Sequence, residues 1–151
     1  MYNNIDENIT VKERGWAGHW ICGSRCNYHR NTLISFNNKK IVVSTIGKYQ
    51  SPLTDPDYCI HLINGFESIG EGEVEDNRYY ETEIGYARFI HGYWEYSPNA
   101  NIYEDSLMEY QNKVSRIDPS FNDSDEYADE YHNKIVQTVI NLLKEKNYER
   151  I

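Results

Sequence analysis

Residues 9–14 alternate apolar and polar positions, with Ile9 and Val11 set against Thr10 and Lys12, which predicts a short first strand. Residues 32–36 and 41–46 are two β-rich runs flanking Asn37, Asn38, Lys39 and Lys40. They predict a hairpin, because asparagine tolerates the positive φ of a tight turn. In the second run Ile41, Val43 and Thr45 face one way and Val42, Ser44 and Ile46 the other. Both sides are mostly apolar, the pattern of a strand covered on both faces, so this run is expected at the centre of a sheet. Residues 58–63 and 66–69, joined by Asn64-Gly65, predict a second hairpin. Residues 78–90 fit two periods. Tyr80, Ile84 and Ala87 make a helical stripe, but the aromatic content and Gly85 favour a strand, and a strand is the assignment. Residues 93–96 predict one more.

The period changes near the end of the chain. Ser124 is a good N-cap, and Asp125 and Glu126 follow in the first turn, where they favour the helix dipole. Ala128, Tyr131, Ile135, Val139 and Leu142 recur at three and four, and Ile140 and Leu143 widen the stripe. This predicts an amphipathic helix over 124–146. The expected fold is therefore α+β, a mostly antiparallel β-sheet covered by a C-terminal amphipathic helix. The chain of 151 residues suits a single domain, 1–151, with residues 1–8 as a flexible lead-in. Two prolines, Pro52 and Pro56, make 51–56 a loop, and 70–77 is an acidic loop. Residues 97–124 read as irregular, with one helical turn around 107–114.

Charge changes this picture by its distribution. The net charge of −9 disfavours long nucleic acids as partners. Between Lys12 and Lys48, however, seven Lys/Arg face one acid, Glu13, whereas residues 49–151 carry eight Lys/Arg and 21 Asp/Glu. A basic island in an acidic chain predicts a local site for a small phosphorylated ligand. Internal pairing of the island with the acidic half is the plainer alternative. No apolar run approaches the ~18 residues of a membrane span, and the N-terminal residues lack the pattern of a secretory signal. Three cysteines without an export signal predict reduced thiols and a cytoplasmic setting.

The island centres on 14–32, RGWAGHWICGSRCNYHRNT, which concentrates tryptophan, cysteine, histidine and arginine. His19-x2-Cys22-x3-Cys26-x2-His29 offers four metal-ligand types. All four fall within eleven residues with no distant second pair, so no stoichiometric zinc and no cofactor is expected. The ligand-binding candidates are Arg25, Arg30 and Lys48 for phosphate, Trp16, Trp20 and Tyr28 for base stacking, and Asn31 and Thr32 as small polar groups. Neither GxxxxGK[ST] nor GxGxxG occurs, which excludes a P-loop and a Rossmann turn. The catalytic candidates are His19 as acid or base, with Tyr80 and Glu81 completing the site. His132, beside the apolar stripe of the helix, reads as a satisfied histidine at the edge of the core. The remaining carboxylates read as a solvated face.

The run Glu13-Arg14-Gly15-Trp16-Ala17-Gly18-His19-Trp20-Ile21-Cys22, with Cys26, Arg30-Asn31-Thr32-Leu33, Val42-Val43-Ser44-Thr45-Ile46-Gly47 and Arg78-Tyr79-Tyr80-Glu81-Thr82, resembles a family of small proteins of tailed phages and prophages. Those proteins carry ERGWAGHF, C-x3-RNTL, VVSTVG and RYYET segments. The chain departs from them at 70–77 and 97–124. The resemblance implies an infected host cell as the setting and brings no activity with it. Taken with the basic island, it leads to the expected function: an anti-defence protein that binds a cyclic nucleotide-type immune signal. Its enzymatic form would be a metal-independent phosphodiesterase, and a homo-oligomer is a further option. The alternative is an acidic inhibitor that docks on a bacterial defence protein without any nucleotide. A phage factor without an immune role is the third reading.

Overall fold

The computed structural model describes residues 2–5, 7–19, 23–37, 39–49, 79–97 and 124–147. Five antiparallel strands lie in chain order: β1 (Ile9–Arg14), β2 (Cys26–Phe36), β3 (Lys39–Tyr49), β4 (Tyr80–Ile90) and β5 (Tyr93–Tyr96). A short 3-10 turn, Gly23–Arg25, leads into β2, and the helix α1 spans Asp125–Asn147. The α+β architecture is as expected. The second predicted hairpin (58–69), the loops at 51–56 and 70–77, and the helical turn at 107–114 lie outside the described residues, as do Trp20 and Cys22.

The run 41–46 is central, as its two apolar sides required, because β3 is hydrogen-bonded to β2 on one side and β4 on the other. Within 78–90, Tyr80–Ile90 form a strand and not a helix. The hairpin turn between β2 and β3 holds Asn37 at φ 55°, the conformation asparagine accepts most readily among the non-glycine residues. Strand alternation then sends residues to two faces. On one face Ile9, Ile34, Phe36, Ile41, Val43 and Ile84 pack against Ile135, Val136, Val139, Ile140 and Leu143 of α1 to form the main core. The helical stripe is the predicted one, with Val136 added and Leu142 at its margin. Ser124 caps the helix, its hydroxyl accepting from the Tyr127 amide at 3.2 Å.

The lead-in, expected to fray, is instead tied to α1. Tyr2 donates to Asn133 at 3.1 Å, Asn3 and Gln137 exchange two hydrogen bonds of 2.7 and 2.9 Å, and Asn4 donates to Asn141 at 3.1 Å. Asn133, Gln137 and Asn141 are four apart and so share one helical face. The amide side chains there supply the hydrogen-bond partners that a solvated lead-in would otherwise find in water.

The second half of β4 and β5 curl over the face opposite the helix. Arg14 of β1 donates to the Trp94 carbonyl of β5, although these are the two edge strands. Beneath α1, the fully buried Tyr80 lies flat on β3 at Gly47. A Cβ at Gly47 would sit 2.1 Å from the Tyr80 ring and 2.9 Å from the Tyr79 carbonyl. Gly47→Ala is therefore expected to lower stability by about 1–3 kcal/mol, the usual cost of overpacking. Gly15→Ala, with no atom within 4 Å of the new Cβ, should be nearly neutral. Urea denaturation of both variants measures the contrast.

Candidate functional site

The face opposite the helix carries a polar row across four strands. The register aligns Arg14 with Asn31, Asn31 with Ser44, and Ser44 with Glu83. Glu81 stands two residues from Glu83 on β4 and therefore on the same face. The chain between β1 and β2 brings His19 down onto this row. Its Nδ1 lies 2.7 Å from Ser44 Oγ and its Nε2 lies 3.0 Å from Glu81 Oε1. A carboxylate can only accept, so Nε2–H donates to Glu81. In the neutral ring Nδ1 then accepts from the Ser44 hydroxyl. Tyr96 stands 6.0 Å from the His19 ring and donates to Glu83 Oε2 at 2.6 Å. Burial and then the Glu83 hydrogen bond push the Tyr96 phenol well above its ordinary value, so it remains a donor.

Serine, histidine and carboxylate in this order suggest a hydrolytic triad, but the packing decides otherwise. Ser44 is fully buried, and Gly18 closes over it so tightly that a Cβ there would meet Ser44 Oγ at 2.6 Å. No substrate atom reaches that oxygen. Ser44 orients the ring and is not a nucleophile. The imidazole is itself only 3% exposed, whereas the Glu81 side chain is 17% exposed. The outward-facing reactive groups are thus the carboxylates, with His19 behind them.

Of the sequence candidates, His19, Glu81 and Asn31 come together on this face. Asn31 accepts from Arg14 Nη2 and Nε at 2.9 and 3.2 Å. Trp16 stands beside it, 42% exposed, with Arg14 4.8 Å from its ring centroid and Tyr93 edge-on at 5.6 Å. Arg14, which the sequence reading left out of the site, is its organising cation. It is buried, and desolvation lowers its pKa.

Tyr80 does not belong to this site. Neighbours in a strand point to opposite faces, so Tyr80 and Glu81 cannot share one. The Tyr80 hydroxyl donates to Asp125 of α1 and its ring meets Tyr28 edge-on at 5.5 Å. Tyr28, Arg30 and Thr32 lie on the helix side too. Tyr28 donates to Asp129 at 2.6 Å. Arg30 pairs with Glu13 and lies 3.5 Å from Asp129, and it donates to Asn133 at 2.8 Å. Lys48 is 3.7 Å from Asp125. At these positions the basic island pairs internally, the plainer of the two readings. Arg25 ends the 3-10 turn. Cys26 is a buried thiol outside any disulfide, on the helix side by strand parity, while His29 lies on the His19 side with its Nδ1 buried and without a hydrogen-bond partner. The three described members of the Cys/His set therefore do not converge. Glu83 was missed. Its signal was the spacing of 81 and 83 on a strand.

His132 is the satisfied histidine expected, and it is fully buried. Thr32 donates to Glu13 at 2.6 Å, so it accepts from His132 Nε2–H across 2.7 Å. Thr45 then donates to Nδ1 across 2.8 Å and accepts from Thr82 across 2.8 Å. Every proton has a place only when the ring is neutral. Glu13 stands 4.0 Å from Nε2 but is taken by Arg30. Burial, and then the Arg30 charge, press the His132 pKa down to about 3.

Comparison with protein-family models, curated proteins and solved structures gives no match. The chemistry of the site therefore rests on its geometry.

A histidine with a depressed pKa binds its proton in the unfolded chain first. Stability from His132 is full above the unfolded value of about 6.5 and falls as the pH drops from there toward 3. Between pH 7 and pH 5 the loss from this residue should be about 2 kcal/mol. His132→Gln should be less stable at pH 7 and should lack that part of the acid sensitivity. Denaturant titrations of both proteins at the two pH values measure it.

Proposed function

We propose that this chain binds a small phosphorylated nucleotide ligand on the face opposite the helix and hydrolyses it there. The observation that carries the reading is the buried His19, fixed between Ser44 and Glu81 with Glu83 alongside. Such a carboxylate–imidazole pair is suited to proton transfer. A water at Glu81 gives up a proton to the carboxylate as its oxygen attacks phosphorus. The bond to the leaving oxygen breaks, and that oxygen takes a proton from solvent. Trp16, exposed beside Arg14, supplies a face for a base. In the setting implied by the resemblance to phage proteins, the ligand is an immune signal of the infected cell and its loss is the counter-defence.

A second observation favours a protein partner. Phe89 is 62% exposed, Tyr93 56% and Trp94 36%, all on the β4–β5 hairpin at a sheet edge. Exposed aromatics grouped in this way suit docking on another protein, which is the acidic-inhibitor reading.

Incubation with cyclic di- and trinucleotides and cyclic ADP-ribose isomers, with chromatography before and after denaturation, separates these readings. Turnover is expected. His19→Ala and the milder Glu81→Gln should slow turnover by ~10²–10⁴-fold. Ligand recovered intact in one-to-one amount would make the protein a binder and overturn hydrolysis. Neither retention nor turnover would favour the protein partner.

A further inference from the structure

Glu81 and Glu83 place two carboxylates on one face of β4 with a single imidazole between them and the sheet. The ligand atoms of His19, Glu81 and Glu83 all lie within 4.8 Å of one another. His19 Nε2 and Glu81 Oε1 are 3.0 Å apart. Two ligands each about 2.1 Å from one metal ion are ~3.0 Å apart around an octahedral ion and ~3.4 Å around a tetrahedral one, so this pair is close to the spacing of adjacent ligands. The third ligand atom, from Glu83, lies within 4.8 Å of both.

Charge leads to the same conclusion. Among the described residues no lysine or arginine pairs with Glu81 or Glu83. Arg14, on the same face, is committed to Asn31 and to the Trp94 carbonyl. Two partly buried carboxylates on one face of a strand repel each other. A divalent cation would neutralise both.

The surroundings are those of a ligand set. A metal-bound histidine characteristically donates its other ring N–H to a fixed acceptor. Ser44 Oγ, 2.7 Å from Nδ1 and sealed by Gly18, can fill that role by turning its own proton away. Tyr96 holds Glu83 Oε2, which leaves Oε1 for the ion.

We infer that His19 Nε2, Glu81 and Glu83 bind one divalent transition-metal cation, with Ser44 and Tyr96 as positioning residues. One imidazole nitrogen with two carboxylate oxygens suits Mn²⁺ or Zn²⁺ better than Mg²⁺ or Ca²⁺, which favour oxygen-only sets. Three protein ligands leave positions for water and for a phosphate oxygen. The site's role rests on the hydrolytic reading above. Two bare carboxylates would repel a phosphate, and a cation reverses that field. The phosphodiesterase would then depend on a metal, and among the described members of the Cys/His set His19 alone belongs to its ligands.

The test starts from protein stripped with a chelator and dialysed. Calorimetry with MnCl₂ and ZnCl₂, and Mn²⁺ paramagnetic resonance, are run without any nucleotide. One saturable site per chain is expected, with Mg²⁺ and Ca²⁺ much weaker. Glu81→Gln and Glu83→Gln should each weaken Mn²⁺ at least tenfold, and Tyr96→Phe by ~10–100-fold, the usual effect of losing an outer partner. Cys26→Ser and His29→Gln should leave affinity unchanged. Denaturation of the metal-free Gln variants checks the fold, which should hold because the amide keeps the carboxylate's shape. No saturable site, or affinity untouched by both Gln changes, would overturn the inference. So would loss of affinity in Cys26→Ser. The two readings fail separately. Turnover by stripped protein that shows no saturable Mn²⁺ site would overturn the metal and keep hydrolysis. Saturable Mn²⁺ sensitive to Glu83→Gln, with no turnover of any ligand, would keep the metal and overturn hydrolysis.

Discussion

Two histidines are buried on opposite sides of one strand, and adjacent hydroxyls of that strand hold them. Ser44 meets His19 on one face and Thr45 meets His132 on the other. A buried imidazole without partners would cost several kcal/mol, so β3 is constrained at this dipeptide more strongly than its apolar neighbours require. The neighbouring strands repeat the arrangement. Asn31 and Thr32 on β2, and Glu81 and Thr82 on β4, each divide one residue to the His19 side and one to the His132 side. A slip of one residue would exchange every member of both networks at once. The register of the sheet centre is therefore specified by polar pairing as well as by the core.

The two networks differ in what surrounds them. The His132 network is closed: threonines occupy both nitrogens, Arg30 and Glu13 neutralise one another at its edge, and α1 covers it. It serves cohesion between helix and sheet. The His19 network is open at one end, where two carboxylates face outward without a lysine or arginine partner among the described residues. On that side the buried Arg14 reaches from β1 to β5. Its hydrogen bond to the Trp94 carbonyl ties β1 to the hairpin that carries Tyr96 over Gly85 of β4.

The elements that bury a clear face were legible in the sequence. Strand β1, the centre of β3 and the helix follow from their periods alone. The first half of β2 was not, because its two buried helix-side positions, Cys26 and Tyr28, alternate with Asn27 and His29 and lead into Arg30 and Asn31, so no aliphatic period marks the strand. At 78–90 the pattern fitted a helix and a strand, and the pairing of Tyr80 with Glu81 set aside the period of two. That rule would have grouped Glu81 with Glu83 instead. Arg30 read as an anion ligand because its carboxylate partners stand on other elements, Glu13 on β1 and Asp129 on α1, the second of them 99 residues away. Ser44 gave no signal beyond a strand position. Its role depends on Gly18 and His19 folding over it, and that contact is made only in the tertiary structure.

The ties between the lead-in and α1 bear on the order in which the molecule is made. Tyr2, Asn3 and Asn4 leave the ribosome before the sheet, but their partners Asn133, Gln137 and Asn141 lie more than 130 residues downstream. Until then Ile34, Val43 and Ile84 lack the helix side chains they pack against, and the first residues lack these hydrogen-bond partners. Docking of α1 closes both gaps in a single late event. A nascent chain halted before α1 would expose the surface that aggregates most readily. Cellular quality control would meet this protein chiefly as an unfinished sheet.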